Sequence, residues 1–171
     1  MARYDIVPER SQVLIEATSS VHPINSRTDG LEGFVELEVG EAGRVDTSAE
    51  PNGELSLRVE RLSSGNALED RELRRRVDTR RFPTIDGRLT TLHDTGRDDR
   101  YVVRGDLTFR GVTNSYEDEM TIARFDDQTL HLEGRSTFDI RDFGMEPPRI
   151  LMLRVHPEVA VTVTIVARKE G

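Results

Sequence analysis

The sequence predicts an all-β fold, with eight antiparallel strands closed into one barrel and one short helix packed beside it. Three observations lead there. Apolar residues recur at every second position in about eight separate runs. Polar, turn-forming stretches separate most of those runs. A single segment abandons the two-residue period for a helical one. Strands of this number and spacing suit a sandwich or a barrel, and single-sided alternation in all of them favours one shared interior. A barrel of about eight strands is just wide enough to be filled by its own side chains or to hold one small ligand.

The elements follow in chain order. In SQVLIEAT, Val13, Ile15 and Ala17 share one face. In LEGFVELEV, Leu31, Gly33, Val35, Leu37 and Val39 oppose Glu32, Glu36 and Glu38, while Phe34 sits on the acidic face. Leu55, Leu57 and Val59 oppose Glu54, Arg58 and Glu60. Asn66–Val77 then reads as the helix. Asn66 is its cap and Glu69 stands at the third helical position, as in a capping box. Leu73 and Val77, four apart, form the face that packs on the barrel. Arg74–Arg76 complement the helix dipole as a solvated helix end, with anion binding as the less favoured reading. The two-residue period returns at Ile85, Gly87 and Leu89. It is sharpest at Val103, Gly105, Leu107 and Phe109, set against Arg104, Asp106, Thr108 and Arg110. A slip of one residue there would bury charged groups, so the odd positions are expected inside. Met120 and Ile122 follow, then Leu130, Leu132, Gly134 and Ser136. The last run carries Val155, Val159, Val161, Val163 and Ile165.

Several inward positions are small: Ala17, Gly33, Gly87, Gly105, Gly134 and Ser136. Isolated strand glycines usually answer a backbone need such as a bulge or bend. Room for a ligand is the competing explanation. Glu41–Glu54 and His93–Arg100 read as polar hairpin connections. Gly144–Ile150 differs, since Pro147 and Pro148 beside Met145 and Ile150 make an apolar, semi-rigid lip for a barrel mouth. No Gly/Ser-rich or Pro-rich linker and no repeat divides the chain, so residues 1–171 are expected to form one domain.

Composition and motifs exclude much. The net charge of -8 makes nucleic acid and anionic membrane surfaces poor partners. The absence of cysteine removes disulfides, thiolate nucleophiles and thiolate metal sites. His22, His93, His131 and His156 are scattered without metal-ligand spacing, so no metal is expected. Nucleophile elbow, P-loop and dinucleotide fingerprint are all missing. Asp98–Asp99 and Asp126–Asp127 fall in turns and read as turn formers. The sequence therefore offers no catalytic set and no cofactor site. MARYDIVPERSQ has no apolar core of the secretory kind, and no run approaches a membrane span. A cytoplasmic protein is expected.

Two segments remain, Arg104–Thr113 (RGDLTFRGVT) and Phe138–Met145 (FDIRDFGM). In the second, Gly144 permits a turn closed to other residues. Arg141 is placed to bind a carboxylate or a ligand head group, with an ion pair or loop brace as the more ordinary role. With these motifs, the chain resembles the YceI-like (polyisoprenoid-binding, lipocalin-like) family along nearly its whole length. YDIVPERSQVLI is similar to that family's opening strand, with Tyr4 where tryptophan is usual and with Ser11, Val13 and Ile15 in place. Phe82, Pro83, Thr84 and Ile85 resemble its aromatic-Pro-Thr-Ile strand start. Gly105, Leu107, Thr108, Gly111, Val112 and Thr113 match its Gly-x-Leu-Thr-x-x-Gly-Val-Thr signature. FDIRDFGM resembles the Arg-x-Asp-Phe-Gly signature with one spacer lost. The family's Arg-Asp-x-His-Leu helix run is replaced by Glu69, Asp70, Arg71, Glu72 and Leu73, and Ser19–Gly30 has no clean match.

The resemblance implies an extended lipocalin-like barrel of eight strands, flanked by a helix and containing a long apolar pocket for an isoprenoid-like chain. The expected function is to bind, carry or sequester such a molecule, without catalysis. The candidate wall residues are Val13, Ile15, Val35, Leu37, Leu57, Leu107, Phe109, Met120, Leu132, Phe138, Phe143 and Val161, with Arg141 as the candidate head-group contact. The pocket is expected to open near Phe138–Ile150. The expected partner is an apolar small molecule, and a homodimer stays open as an assembly state. Two other functions are kept. One is an interaction protein whose barrel is filled by its own side chains. The other is a lipid-modifying enzyme with Arg141 and Asp142 at the mouth.

Overall fold

Period-two alternation becomes a twisted antiparallel sheet closed on itself. The computed structural model describes residues 1–147, 149–150 and 153–170. Its strands are β1 (Ala2–Ile6), β2 (Gln12–Ser19), β3 (Pro23–Thr28), β4 (Glu32–Leu37), β5 (Asn52–Arg58), β6 (Thr84–Asp94), β7 (Arg100–Phe109), β8 (Val112–Asp126), β9 (Thr129–Asp139), β10 (Arg149–Ile150) and β11 (Leu153–Lys169). The single α-helix among the described residues, α1, is Ala67–Val77. No helix among the described residues is long and apolar enough to cross a membrane.

Eight staves form the closed barrel because the first four strands share two of them. β11 is long enough to pair with β2 along its middle and with β1 near its end. β1 and β2 thus act as one stave, bent by a short 3-10 turn at Pro8–Arg10. β3 and β4 form the next, since β3 pairs with β2 and β4 with β1. The ring continues β5-β6-β7-β8-β9-β11. β5 pairs with β4, while among the described residues the far edge of β3 is met only by an isolated bridge between Arg27 and Ser63. Alternation missed β3, whose inward Ser26 and Thr28 are buried but polar.

α1 packs on the barrel through Leu73 and Val77. Asn66 caps it, its side chain accepting from Leu68 N at 3.0 Å and Glu69 N at 3.2 Å. Only half of the expected capping box forms. Glu69 turns toward the barrel, and its carboxylate lies 4.0 Å from His22 Nε2. Val77 is fully buried and Leu73 packs beside it against the core. The arginine run is spent on local braces. Arg75 and Arg76 bond Glu72 at 2.8 and 3.0 Å, and Arg74 donates to the Glu60 carbonyl at 3.3 Å.

The interior is not uniform along the barrel axis. At one end Tyr4, Leu37, Leu92, Tyr101, Leu130 and Ala167 are all buried. Here the connection 38–51, most of it within the stretch Glu41–Glu54 read from sequence as a polar hairpin link, folds across the barrel. Val45 is buried, and its N–H donates to the Tyr101 hydroxyl at 2.9 Å. A bulge after Leu89 lets both Leu89 and Leu92 point inward although they are three apart. Toward the other end the same inward phase continues through residues that are only half-buried.

Candidate functional site

Buried and half-buried inward residues together enclose a cavity of about 400 Å³, within the range typical of ligand sites. Its wall is almost entirely apolar. β2 contributes Val13, Ile15 and Ala17, and β4 and β5 contribute Val35, Leu37, Leu55 and Leu57. β7 contributes Val103, Gly105, Leu107 and Phe109, the odd positions expected to face inward, and Arg104 lies outside. Met120, Leu132 and Phe138 come from β8 and β9, and Val159, Val161 and Val163 from β11. Ile140 and Phe143, on the 3-10 turn after β9, line it together with Met145, and α1 adds Leu73 and Val77. Pro148 and the side chain of Ile150, part of the expected lip, lie outside the described residues.

Of the residues singled out from sequence, the twelve apolar ones border this cavity, and Arg141 does not. Arg141 folds back on Asp139, with Nη2 2.7 Å from Oδ2 and Nε 3.0 Å from Oδ1. The same Asp139 caps the short turn by accepting from Arg141 N at 2.9 Å. This charge-assisted hydrogen bond, together with the cap, holds the Asp139 carboxyl below its usual range and raises Arg141. The pair braces the loop Asp139–Gly144. Gly144 ends it at φ 70°, the left-handed conformation expected of a glycine there.

The sequence reading did not extend the inward phase of β8 back from Met120, where the residues turn polar. Registered against Leu107, Gly105 and Val103, the residues Asn114, Tyr116 and Asp118 fall on the same inner face. At this height the wall also changes. The β8–β9 ladder runs from Asp126↔Thr129 to Met120↔Gly134 and stops, although β8 begins at Val112 and β9 reaches Asp139. Side chains bridge the seam instead. Tyr116 meets Phe138 edge to face with centroids 4.7 Å apart. Ser136 Oγ donates to Asp118 Oδ2, and Asn114 Nδ2 donates to the Asp142 carbonyl at 3.0 Å. Phe143 lies 6.2 Å from Tyr116 and 5.8 Å from Phe109, which completes an aromatic cluster. The Tyr116 hydroxyl is buried without a hydrogen-bond partner among the described residues. Burial, then the Asp142 charge, pushes its pKa up, so it stays a protonated phenol. Among the described residues, no group of three or more His, Asp or Glu side chains is placed to hold a metal ion.

Comparison with known proteins agrees with this architecture. Burkholderia cenocepacia BcnA superposes with a TM-score of 0.77 at 15% identity, over 95% of this chain and 99% of that one. A polyisoprenoid binding domain from Saccharophagus degradans, implicated in plant cell wall breakdown, gives 0.77 at 13% identity, over 99% and 100%. A Campylobacter jejuni YceI protein gives 0.68 at 10% identity, over 86% of each chain. At these identities the likeness establishes the fold alone. No curated protein matches the chain. The model of the YceI-like domain, however, matches residues 4–167. With that match spanning the barrel from its first stave to its last, the chain belongs to the YceI-like family.

Proposed function

We propose that this protein binds and carries a lipophilic molecule with an isoprenoid-like chain, housed in the unpacked half of the barrel. The observation that carries the reading is the contrast within one inward phase. Leu130 and Tyr101 are sealed, whereas Leu107, Phe109, Phe138 and Val161 are only partly buried around a cavity of about 400 Å³. Apolar surface left wettable inside a closed barrel is favourably covered by an apolar guest, at roughly 0.8 kcal/mol per buried methylene less the costs of association. The polyisoprenoid binding domain among the structural neighbours supports the same ligand class. The cavity disfavours the filled-barrel alternative. Arg141 is committed to Asp139 away from the cavity wall, which leaves the enzyme alternative without one of its two proposed residues.

Leu107 tests the reading. It faces Gly87 across the β6–β7 ladder and lines the cavity. In a titration with a fluorescent prenyl-chain lipid, Leu107→Trp is expected to weaken binding roughly tenfold or more by occupying the lumen. Arg104→Ala, on the outer phase, should bind like the wild type. Circular dichroism checks that both variants fold. Equal binding by a folded Leu107→Trp protein would place the ligand elsewhere.

A further inference from the structure

The cavity wall has a gap in its ladder, and water reaches the inner face there. β9 past Gly134 stays paired with β11 as far as Asp139↔Glu158, and β8 before Met120 stays paired with β7. The pairing of β8 with β9 alone ends, at Met120↔Gly134. Both strands run on beyond that rung, so two strand edges face each other without a ladder. Their main-chain polar groups need water or side chains instead. Asp118 is the first inward-phase residue of β8 past the last rung, registered opposite Val103. It lines the cavity and is nevertheless exposed. That exposure does not come from the end of the barrel. Tyr116 and Phe138 lie nearer that end and are less exposed, and Phe143 and Met145, which follow β9, are buried. Solvent therefore enters sideways, between β8 and β9.

Side chains span the gap. Ser136 Oγ donates to Asp118 Oδ2. Tyr116 meets Phe138 with ring centroids 4.7 Å apart, and Asn114 Nδ2 reaches the Asp142 carbonyl at 3.0 Å. Each contact parts by a change of rotamer and breaks no main-chain ladder, so the seam opens at a lower cost than a laddered joint of the ring. The far edge of β3 also lacks a full ladder, but it is bridged to Ser63 at Arg27, and the neighbouring cavity-lining residues Val59 and Leu62 are buried. A slot in the side of a barrel suits a long apolar guest, because the chain enters along its length and need not thread through an end. Resting on the carrier reading above, we infer that the β8–β9 seam is the doorway of the barrel. The apolar chain passes sideways between Tyr116 and Asp118 on one strand and Ser136 and Phe138 on the other, and the Asp118–Ser136 bridge is the latch.

The chain has no cysteine of its own, so a cross-link can be placed without competition. Asp118→Cys with Ser136→Cys sets two thiols across the slot, at side chains that already touch. Oxidised, this variant is expected to take up and release a fluorescent prenyl-chain lipid about tenfold or more slowly in stopped flow, with its equilibrium affinity kept. Reduction should restore both rates. Arg104→Cys with Glu117→Cys, opposite each other on the exposed outer face of β7 and β8, should keep wild-type rates when oxidised. Ser136→Ala, which removes the latch without a cross-link, should raise both rates together. Mass spectrometry confirms each disulfide, and circular dichroism each fold. Unchanged rates in the confirmed cross-link would overturn the inference and leave the carrier reading intact. So would a weakened affinity with an unchanged association rate, since the cross-link would then only crowd the lumen. Should the disulfide not form, unchanged rates in Ser136→Ala overturn the doorway. A wild type that takes up no probe would overturn the carrier reading, and the doorway with it.

Discussion

Gly33 shows how a single position can carry a meaning that alternation does not reveal. Its φ is +139°, and a Cβ added there would stand 2.0 Å from the Glu54 carbonyl oxygen. Gly33→Ala is therefore expected to destabilise the protein by roughly 2 kcal/mol or more. Urea unfolding should show a lower midpoint with an unchanged slope. The sequence placed Gly33 on the inner face, and it left open whether the inward glycines serve the backbone or make room. The backbone explanation holds at Gly33. Gly105, like Gly33, is pressed against a neighbouring main chain, with the Arg88 carbonyl 2.8 Å from its missing Cβ. Gly87 and Gly134 are overlain by the Leu55 and Met120 side chains, so the space they free is taken by neighbours. Phe34, the residue out of phase on β4, is explained by Arg3, whose guanidinium lies 4.0 Å from the ring centroid.

Whole elements were legible where apolar and charged residues alternate, as in β7, and illegible where the inward residues are polar. β3 hides Ser26 and Thr28, and the first half of β8 turns Asn114, Tyr116 and Asp118 inward. The signal available for β8 was its phase, counted backward from Met120 in steps of two. The seam itself left no trace, because a ladder that stops is a property of two strands, and either sequence alone reads as continuous. α1 was legible from its cap, its charge gradient and its Leu73–Val77 face, but the place on the barrel where it packs was not. Its Leu73 and Val77 pack on the barrel interior. Asn66→Ala removes the acceptor for two N–H groups of the first turn. The expected cost is about 1 kcal/mol, measured by chemical unfolding. Hydrogen exchange should rise first in Leu68–Asp70, ahead of the strands.

At the scale of the molecule, the barrel divides its labour along its axis. One end is packed as a core is packed, and the other holds the cavity. Two inward leucines separate the roles. Leu130→Ala, at a side chain 1% exposed, is expected to cost about 2–5 kcal/mol. Leu107→Ala, at the half-buried wall, should cost distinctly less in the ligand-free protein. Unfolding midpoints of the two variants, measured without added lipid, check this. One strand in each of the eight staves could be read from alternation. The division between packed and open ends could not, because it depends on the connection 38–51 carrying Val45 across the barrel to Tyr101.

The stave formed by β1 and β2 joins the earliest strands to the last one. Tyr4 lies opposite Lys169 and Ile6 opposite Ala167. Val7 N donates to the Val166 carbonyl at 2.8 Å, and buried Ser11 Oγ accepts from Val166 N at 3.1 Å. The ring thus stays incomplete until residue 169 has left the ribosome. Closure then bears the loop entropy of nearly the whole chain in one step, the topology of a slow folder. Every nascent molecule passes through an interval in which its hydrophobic staves are made but the last one is missing. In that interval no guest can be enclosed, and the edges of β9, β1 and β2 that β11 will cover stay exposed to aggregation.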